Sequence, residues 1–413
     1  MALMVHNTLT NRRQEFVTRE PGHVRMYVCG PSVYDESHLG HARSYVAYDA
    51  MKRVFLAKGW RVTHVQNFTD VEENVAARAE KAGMAPLAYA TAIISRFYRD
   101  MDELRILRAD HYPRVSEHIP DILRIVEGLK KKGVAYRFDC GPRDHVVGEG
   151  CDIYFDVTKV PDYGALIGTN VEELTVERPT EAGDRRNPLD FALWKSRDDW
   201  GVVWDSPWGK GRPGWHVECA AMSTKYLGFD FDLHGGGLDL VFPHHENERA
   251  IGEAYGGTTY CEHYLHNGFV TVGNEKMSKS LGNFVTLREM LNKHEPEVVR
   301  AFLLSAHYRA ALNYDEPSIA AAQARVGRWR AQVARLRRAA HGQAAAPALA
   351  APVCGERDAF WEALDDDFHF ERALDALDRA LEAASTLEGP QAAAALRALQ
   401  EMGAAVGLLW DLT

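Results

Sequence analysis

Three groups of residues in this chain of 413 have the types and spacing to do chemistry. In PHHENE, residues 243–248, His244 and Glu248 stand four apart, so on a helix they share one face. Cys219 belongs to the helical segment before them, and Cys29 ends the first strand-like run. One imidazole, one carboxylate and two thiolates make a donor set for Zn²⁺. The same four also read as a surface pair and two core cysteines. His245 and Glu246 are expected to point elsewhere, as groups behind the donors or on the surface.

The second group is SHLGH, residues 37–41, which opens a helical pattern after a Gly-Pro turn. Free backbone N–H groups and the helix dipole favour an anion there. His38 and His41 can donate hydrogen bonds to phosphate, and Gly40 lets a planar ring approach the backbone. The third is NEKMSKSLGN, residues 274–283. Lys276 and Lys279 in that Gly/Asn-bounded loop read either as a mobile phosphate clamp or as a solvated surface.

The elements around these groups suit them. VRMYVCG (24–30) reads as a strand, 42–59 as a helix with Val46, Met51, Val54 and Phe55 at helical spacing, and WRVTHVQNFTD (60–70) as a strand again. Gly59 is a natural helix stop. Strand–helix–strand implies a parallel α/β sheet, whose ligands bind at the carboxyl ends of strands, where Cys29 to His41 falls. The expected division is 1–135 and 201–270 for two halves of an α/β domain, split by an inserted subdomain over 136–200. That insert is read from the short runs GCDIYFDV, DYGAL, EELTVE and DFALW. Residues 271–338 should hold the lysine loop and helices, 339–358 an Ala/Pro-rich linker, and 359–413 two amphipathic helices.

Composition narrows the class. A net charge of -10 argues against a general polyanion binder. The six cysteines show no framework spacing, and the polar N-terminus has no signal-peptide pattern. No apolar run approaches the roughly 18 residues of a membrane span. The expectation is a cytoplasmic protein with reduced thiols and no membrane partner.

Together the motifs carry a resemblance. HLGH resembles the nucleotide-binding signature of class I aminoacyl-tRNA synthetases, and KMSKS matches their second signature. CGPSVYD, NFTDVEE, RNPLDFALWK, WDSPWGKGRPGWHVECAAM, HGGGLDLVFPHHENE and LLSAHYRAALNYDE resemble the cysteinyl branch, over about residues 5–335. The resemblance implies a Rossmann-like parallel-sheet catalytic domain with an inserted connective subdomain and an α-helical C-terminal region. It implies one Zn²⁺ on Cys29, Cys219, His244 and Glu248 that holds the thiolate of substrate L-cysteine. A soft thiolate on zinc separates cysteine from serine far better than packing does. Thr69, Trp215 and His234 would line the amino-acid pocket, although Trp215 alone reads as core and His234 as structural. ATP, arriving with Mg²⁺, would meet His38, Gly40, His41, Asp239, Lys276 and Lys279. His38, His41, Lys276 and Lys279 would stabilise phosphate charge as cysteinyl-AMP forms, and the cysteinyl group would pass to the 3′ end of tRNA-Cys, in a monomer.

The chain departs from the family pattern at Glu72, Glu73 and Asn74, where two aspartates and a lysine are usual, and at Leu39, where isoleucine is commoner. It stops about where a small anticodon-reading domain usually begins, so reduced anticodon discrimination is expected. The segment 324–338, with Arg325, Arg328 and Arg335 along one face and Arg330 and Arg337 beside them, reads as a tRNA contact or a solvated face. Two other readings stay open. One is a cysteine ligase of the mycothiol-pathway type that transfers activated cysteine to an amino-sugar amine. The other is an inactive paralogue that only binds.

Overall fold

The computed structural model describes residues 2–138, 150–169, 173, 185–198, 200–277 and 283–412. A hairpin, β1 (Met4–Asn7) and β2 (Arg12–Glu15), leads into β3 (His23–Val28), α1 (Leu39–Ala57) and β4 (Arg61–Gln66). Three helices follow: α2 (Glu73–Lys81), α3 (Pro86–Glu103) and α4 (Ile119–Lys131). After the insert come α5 (Trp215–Leu227), β9 (Phe231–Gly237), α6 (Glu246–Gly256) and β10 (Cys261–Asn267). The central sheet is parallel throughout, in the order β10-β9-β3-β4. The expected strand–helix–strand unit is therefore present, and the chain reverses its direction of winding between β3 and β9. A crevice opens outside the strand ends at such a switch point. Cys29 sits there, its N–H donating 3.0 Å to the Gly235 carbonyl.

Helix α1 is buried almost all round, which explains its apolar and small residues. It lies close on β9 because Gly235 has no side chain: a Cβ there would stand 2.4 Å from the Tyr48 ring. The Tyr48 hydroxyl accepts from Gly236 N at 2.7 Å and donates to Leu265 O at 2.6 Å. The glycines after His234 are thus a packing surface for the helix that presents SHLGH.

The insert forms an antiparallel sheet, β5 (Ala135–Phe138), β6 (Asp152–Phe155), β7 (Phe191–Lys195) and β8 (Arg212–Pro213), so its sheet runs past the expected end at 200. DYGAL is turn and 3₁₀ helix instead of strand: Gly164 (φ +100°) and Gly168 (φ +69°) are left-handed and break extended backbone. Apart from Glu173, EELTVE lies outside the described residues.

Downstream, β11 (Val270–Val272) and β12 (Glu275–Lys276) pair in a small sheet with a later strand. The rest is α7 (Leu287–Lys293), α8 (Pro296–Leu303), that strand, β13 (Leu312–Tyr314), and helices α9 (Glu316–Ala339), α10 (Ala351–Asp365), α11 (Phe370–Ala384) and α12 (Gly389–Val406). Within the stretch read as a linker, residues 351–358 belong to α10, since one proline in the first turn of a helix is tolerated. Three helices, not two, close the chain. One hydrophobic core runs from α1 into them: the rings of Phe55 and Phe368 meet edge-on at 5.6 Å. No described helix is long and apolar enough to cross a membrane.

Candidate active site and metal centre

Cys29, Cys219, His244 and Glu248 come together from four elements. β3 ends at the first, α5 carries the second one turn in, and the turn before α6 and α6 itself carry the others. One ligand atom from each lies within 4.8 Å of all the rest, and all four are buried. His244 Nε2 stands 2.9 Å from Glu248 Oε1, and the Cys29 thiol points 3.5 Å to the same oxygen. Sulfur, nitrogen and oxygen at such spacing can surround one small cation, with bonds of about 2.0–2.3 Å for zinc. A second set shares Cys29 and Glu248 but uses His234 and His245. The first is the one open to substrate, because Cys29, Cys219 and His244 line a cleft, whereas His234 and His245 do not.

The donors also hold one another's protons. Burial pushes the Cys29 thiol well above its ordinary value, and its hydrogen bond holds Cys219 below. Burial opposes charge on His244, but Glu248 and Cys219 outweigh it and raise the imidazole to about 10. A divalent cation exchanges for such protons, which suits this cluster to a metal.

Outer partners fix the donors. His216 Nδ1 lies 2.9 Å from His244 Nδ1, which leaves Nε2 to face the cluster. His234 pairs with Glu248 Oε2 at 3.0 Å, and the Tyr260 hydroxyl donates to that oxygen at 3.2 Å. His245 bonds His266 at 2.8 Å. Metal-site ligands depend on such partners for orientation. His216 was not singled out in the sequence, although it stands three residues before Cys219 on one helix face.

The cleft has a volume of about 490 Å³. Beyond the thiols its wall is the start of α1. His38 is the N-cap: its Nδ1 accepts from His41 N at 3.3 Å, and His41 Nδ1 accepts from His38 N at 3.4 Å. The two rings stack at 3.7 Å. Both Nδ1 atoms accept, so both rings carry their proton on Nε2. Burial, then His38, push the His41 imidazole well below its ordinary value, so it is neutral. Gly40 is where a Cβ would stand 2.9 Å from His38 Cε1. The ring packed on this glycine is thus that of His38.

Met277 and Phe284, on either side of the undescribed 278–282, line the same cleft. The chain after it is tied to α1 by Leu39 N to Val285 O (3.1 Å) and Leu287 N to Ser37 O (2.7 Å). Lys276 ends β12, and nothing of its side chain is described; Lys279 lies outside the described residues. Asp239 lines the cleft from an exposed turn after β9. Thr69 and Trp215 line it too. Asn67 donates 3.3 Å to the Thr69 hydroxyl, and Trp215 stacks on His244 at 4.3 Å with 44 % of its surface exposed. His234 is fully buried behind Glu248. Sequence reading missed Tyr45, Asn267 and Phe269, which also line the cleft. For Asn267 and Phe269 the break at the end of β10 was the signal, because residues at a parallel strand's carboxyl end face the crevice.

The chain is similar to known proteins over most of its length. The family described as tRNA synthetases class I (C) catalytic domain matches residues 15–324. A cysteine–tRNA ligase of Pelotomaculum thermopropionicum is 46% identical over 392 residues, which are 93% of this chain and 78% of that protein. One from Pyrococcus furiosus is 50% identical over 319 residues, 77% of this chain and 64% of its own. Among solved structures, methionyl-tRNA synthetase of Mycobacterium tuberculosis in complex with methionyl-adenylate superposes with a TM-score of 0.69 at 17% identity. It covers 92% of this chain and 90% of its own, a likeness of fold.

Proposed function

Because the chain belongs to the cysteine–tRNA ligase family of class I aminoacyl-tRNA synthetases, we propose that it activates L-cysteine with ATP and charges tRNA-Cys with the product. One observation carries this reading: a single cleft reaches from the buried thiols and imidazole at one end to His38, Gly40 and His41 at the other. A substrate held by its sulfur at the first end meets a nucleotide held by its phosphates at the second.

Cys29, Cys219, His244 and Glu248 would hold Zn²⁺, and their two sulfurs and one nitrogen fit its preference. Bound there, the ion supplies a soft Lewis acid for the substrate's sulfur, which serine's hydroxyl cannot match. Thr69 orients the amino group and Trp215 covers the side chain. His234 serves by steadying Glu248, consistent with its place behind the cluster. The cysteine carboxylate oxygen attacks the α-phosphorus of ATP, the bond to pyrophosphate breaks, and cysteinyl-AMP forms. His38 and His41 donate their Nε2 protons as hydrogen bonds to the phosphates. Lys276 and Lys279 clamp the departing pyrophosphate, Mg²⁺ arrives with ATP, and Asp239 takes the ribose. A ribose hydroxyl at the tRNA 3′ end then displaces AMP. No protein nucleophile is needed. We place the enzyme in the cytoplasm as a monomer.

The test supplies labelled cysteine and ATP with a tRNA-Cys transcript and, in parallel, with glucosaminyl-inositol. Charging of the RNA is expected. Transfer to the amine alone would overturn the acceptor and keep the activation step; absence of cysteine-dependent ATP–pyrophosphate exchange would overturn both.

A further inference from the structure

A zinc ion cannot tell cysteine from a thiol amino acid one methylene longer, because both offer it the same sulfur. Rejection of the longer one falls to the distance between the place that holds the sulfur and the place that holds the amino group. One methylene is worth about 10- to 200-fold, and only in a pocket of fixed shape. With cysteine activated as proposed above, those two places are Cys29, just past the end of β3, and Thr69, three residues past the end of β4. Asn67 lies between them. We propose that Asn67 is the positioning residue that fixes this distance and so sets the length of thiol amino acid the cleft accepts.

Asn67 is 1 % exposed and does not line the cleft, whereas Cys29, Gly30 and Thr69 do, so it reaches substrate only through them. Its Oδ1 accepts from Gly30 N at 2.9 Å and from the Tyr27 hydroxyl at 3.0 Å. A backbone N–H can only donate, so the amide oxygen must face Gly30 and the amide nitrogen must face the other way. That nitrogen donates to the Thr69 hydroxyl at 3.3 Å. One buried side chain thus ties the residue after Cys29 to the side chain of Thr69. The main chains of the two turns are joined as well. Val33 N donates 3.1 Å to Thr69 O, and Thr69 N donates 3.1 Å to Pro31 O. Gly30 packs so closely that a Cβ there would stand 1.6 Å from the Asn67 carbonyl oxygen. These backbone contacts set the spacing of the main chains. The Asn67 amide sets the direction of the Thr69 hydroxyl, which staggered rotamers would otherwise share.

The test measures the calorimetric Kd for cysteine and for homocysteine, and KM for ATP in ATP–pyrophosphate exchange. It uses the full chain and its variants, each with zinc measured at one per chain. Asn67→Ala should raise the Kd for cysteine about tenfold and that for homocysteine by less than twofold, so the preference falls about tenfold. Asn67→Asp keeps the shape and the acceptor for Gly30 and Tyr27 but cannot donate to Thr69. It should lower the preference severalfold, and it carries the test if the alanine variant does not fold. Thr69→Val should lower the preference by itself, and Asn67→Ala should add little to it, because both act on one contact. KM for ATP should stay within about twofold of wild type in both Asn67 variants, since ATP meets the far end of the cleft. An unchanged preference in Asn67→Asp, costs that multiply in the double variant, or a KM for ATP that rises in step with the lost preference would each overturn the assignment. Wild-type protein that shows no cysteine-dependent exchange would instead overturn the activation reading, and the assignment with it.

Discussion

At the scale of the residue, the site depends on atoms that hold other atoms still. Glu248 is gripped by His234 and Tyr260, and Tyr260 is itself 2.6 Å from the Ser223 hydroxyl. Tyr260→Phe should weaken zinc binding by about 10- to 100-fold, as loss of an outer partner does. Competition with a chromophoric chelator measures it, and unchanged affinity would remove the tyrosine from the site. Cys219→Ser should release the metal outright and end cysteine-dependent exchange; zinc retained at one per chain would refute the ligand set. Gly40 works by absence. A methyl group would press on the His38 ring, at 2.9 Å, and drive it off its stack with His41. A displaced rotamer costs about 0.5–1.5 kcal/mol, so Gly40→Ala should lower kcat/KM for ATP by up to about tenfold with zinc content intact. Exchange kinetics against ATP concentration decide this.

At the scale of the element, α1 is the member on which the site hangs. Its N-terminus presents the two imidazoles, and its middle is clamped. Arg43 donates to the carbonyls of Ala306 and His307 at 3.1 and 2.7 Å. Asp49 pairs with Arg300 of α8, which also donates 3.0 Å to the carbonyl of Val406, the last residue of α12. Gly407 follows with φ +68°, and a Cβ there would stand 2.4 Å from Arg300. The terminal helix is thereby docked on the helix that carries SHLGH. Arg300→Met leaves Asp49 short of a buried partner and should cost about 3–5 kcal/mol in a urea titration. A cost under about 1 kcal/mol, the range of an exposed pair, would show that the clamp is slack. Three arginines of the basic helix read as a tRNA contact or a solvated face are taken up in ion pairs, while Arg328 and Arg337 are exposed. Arg325 pairs with Asp375 and Asp378, Arg330 with Glu295 and Glu297, and Arg335 with Glu388. Their partners stand 33 to 53 residues away in sequence, so no local pattern marks them.

At the scale of the whole molecule, pH stability follows from buried imidazoles. His64 is held to about 3 by burial and then by Lys52, and His266 to about 3 by burial and then by His234. Each pKa is lower folded than unfolded, so the unfolded chain binds more protons as pH falls. The stability these groups contribute is full above about pH 6.5 and is lost progressively toward about pH 3. By pH 5 each should have surrendered about 2 kcal/mol. Urea midpoints at pH 7.5 and 5 measure the loss, and His64→Leu should reduce it by about 2 kcal/mol. An equal loss in the variant would acquit His64.

The sequence by itself determined the local facts. The periodicities of α1 and α5, the strands on either side of α1, and the positions of cysteines, histidines and lysines in short motifs are all written within one turn or one strand. The HLGH and KMSKS runs and the lengthy cysteinyl-type stretches named the family without any coordinates. Only tertiary structure decided what meets what. Cys29 and Cys219 are 190 residues apart, and it is the parallel pairing of β3 with β9 that brings their helix and strand ends to one crevice. Whether His234 faces the substrate or the back of Glu248 likewise depends on where β9 lies against α6. Sequence spacing encodes faces of single elements; burial, cavities and long-range ion pairs belong to the way those faces close on one another.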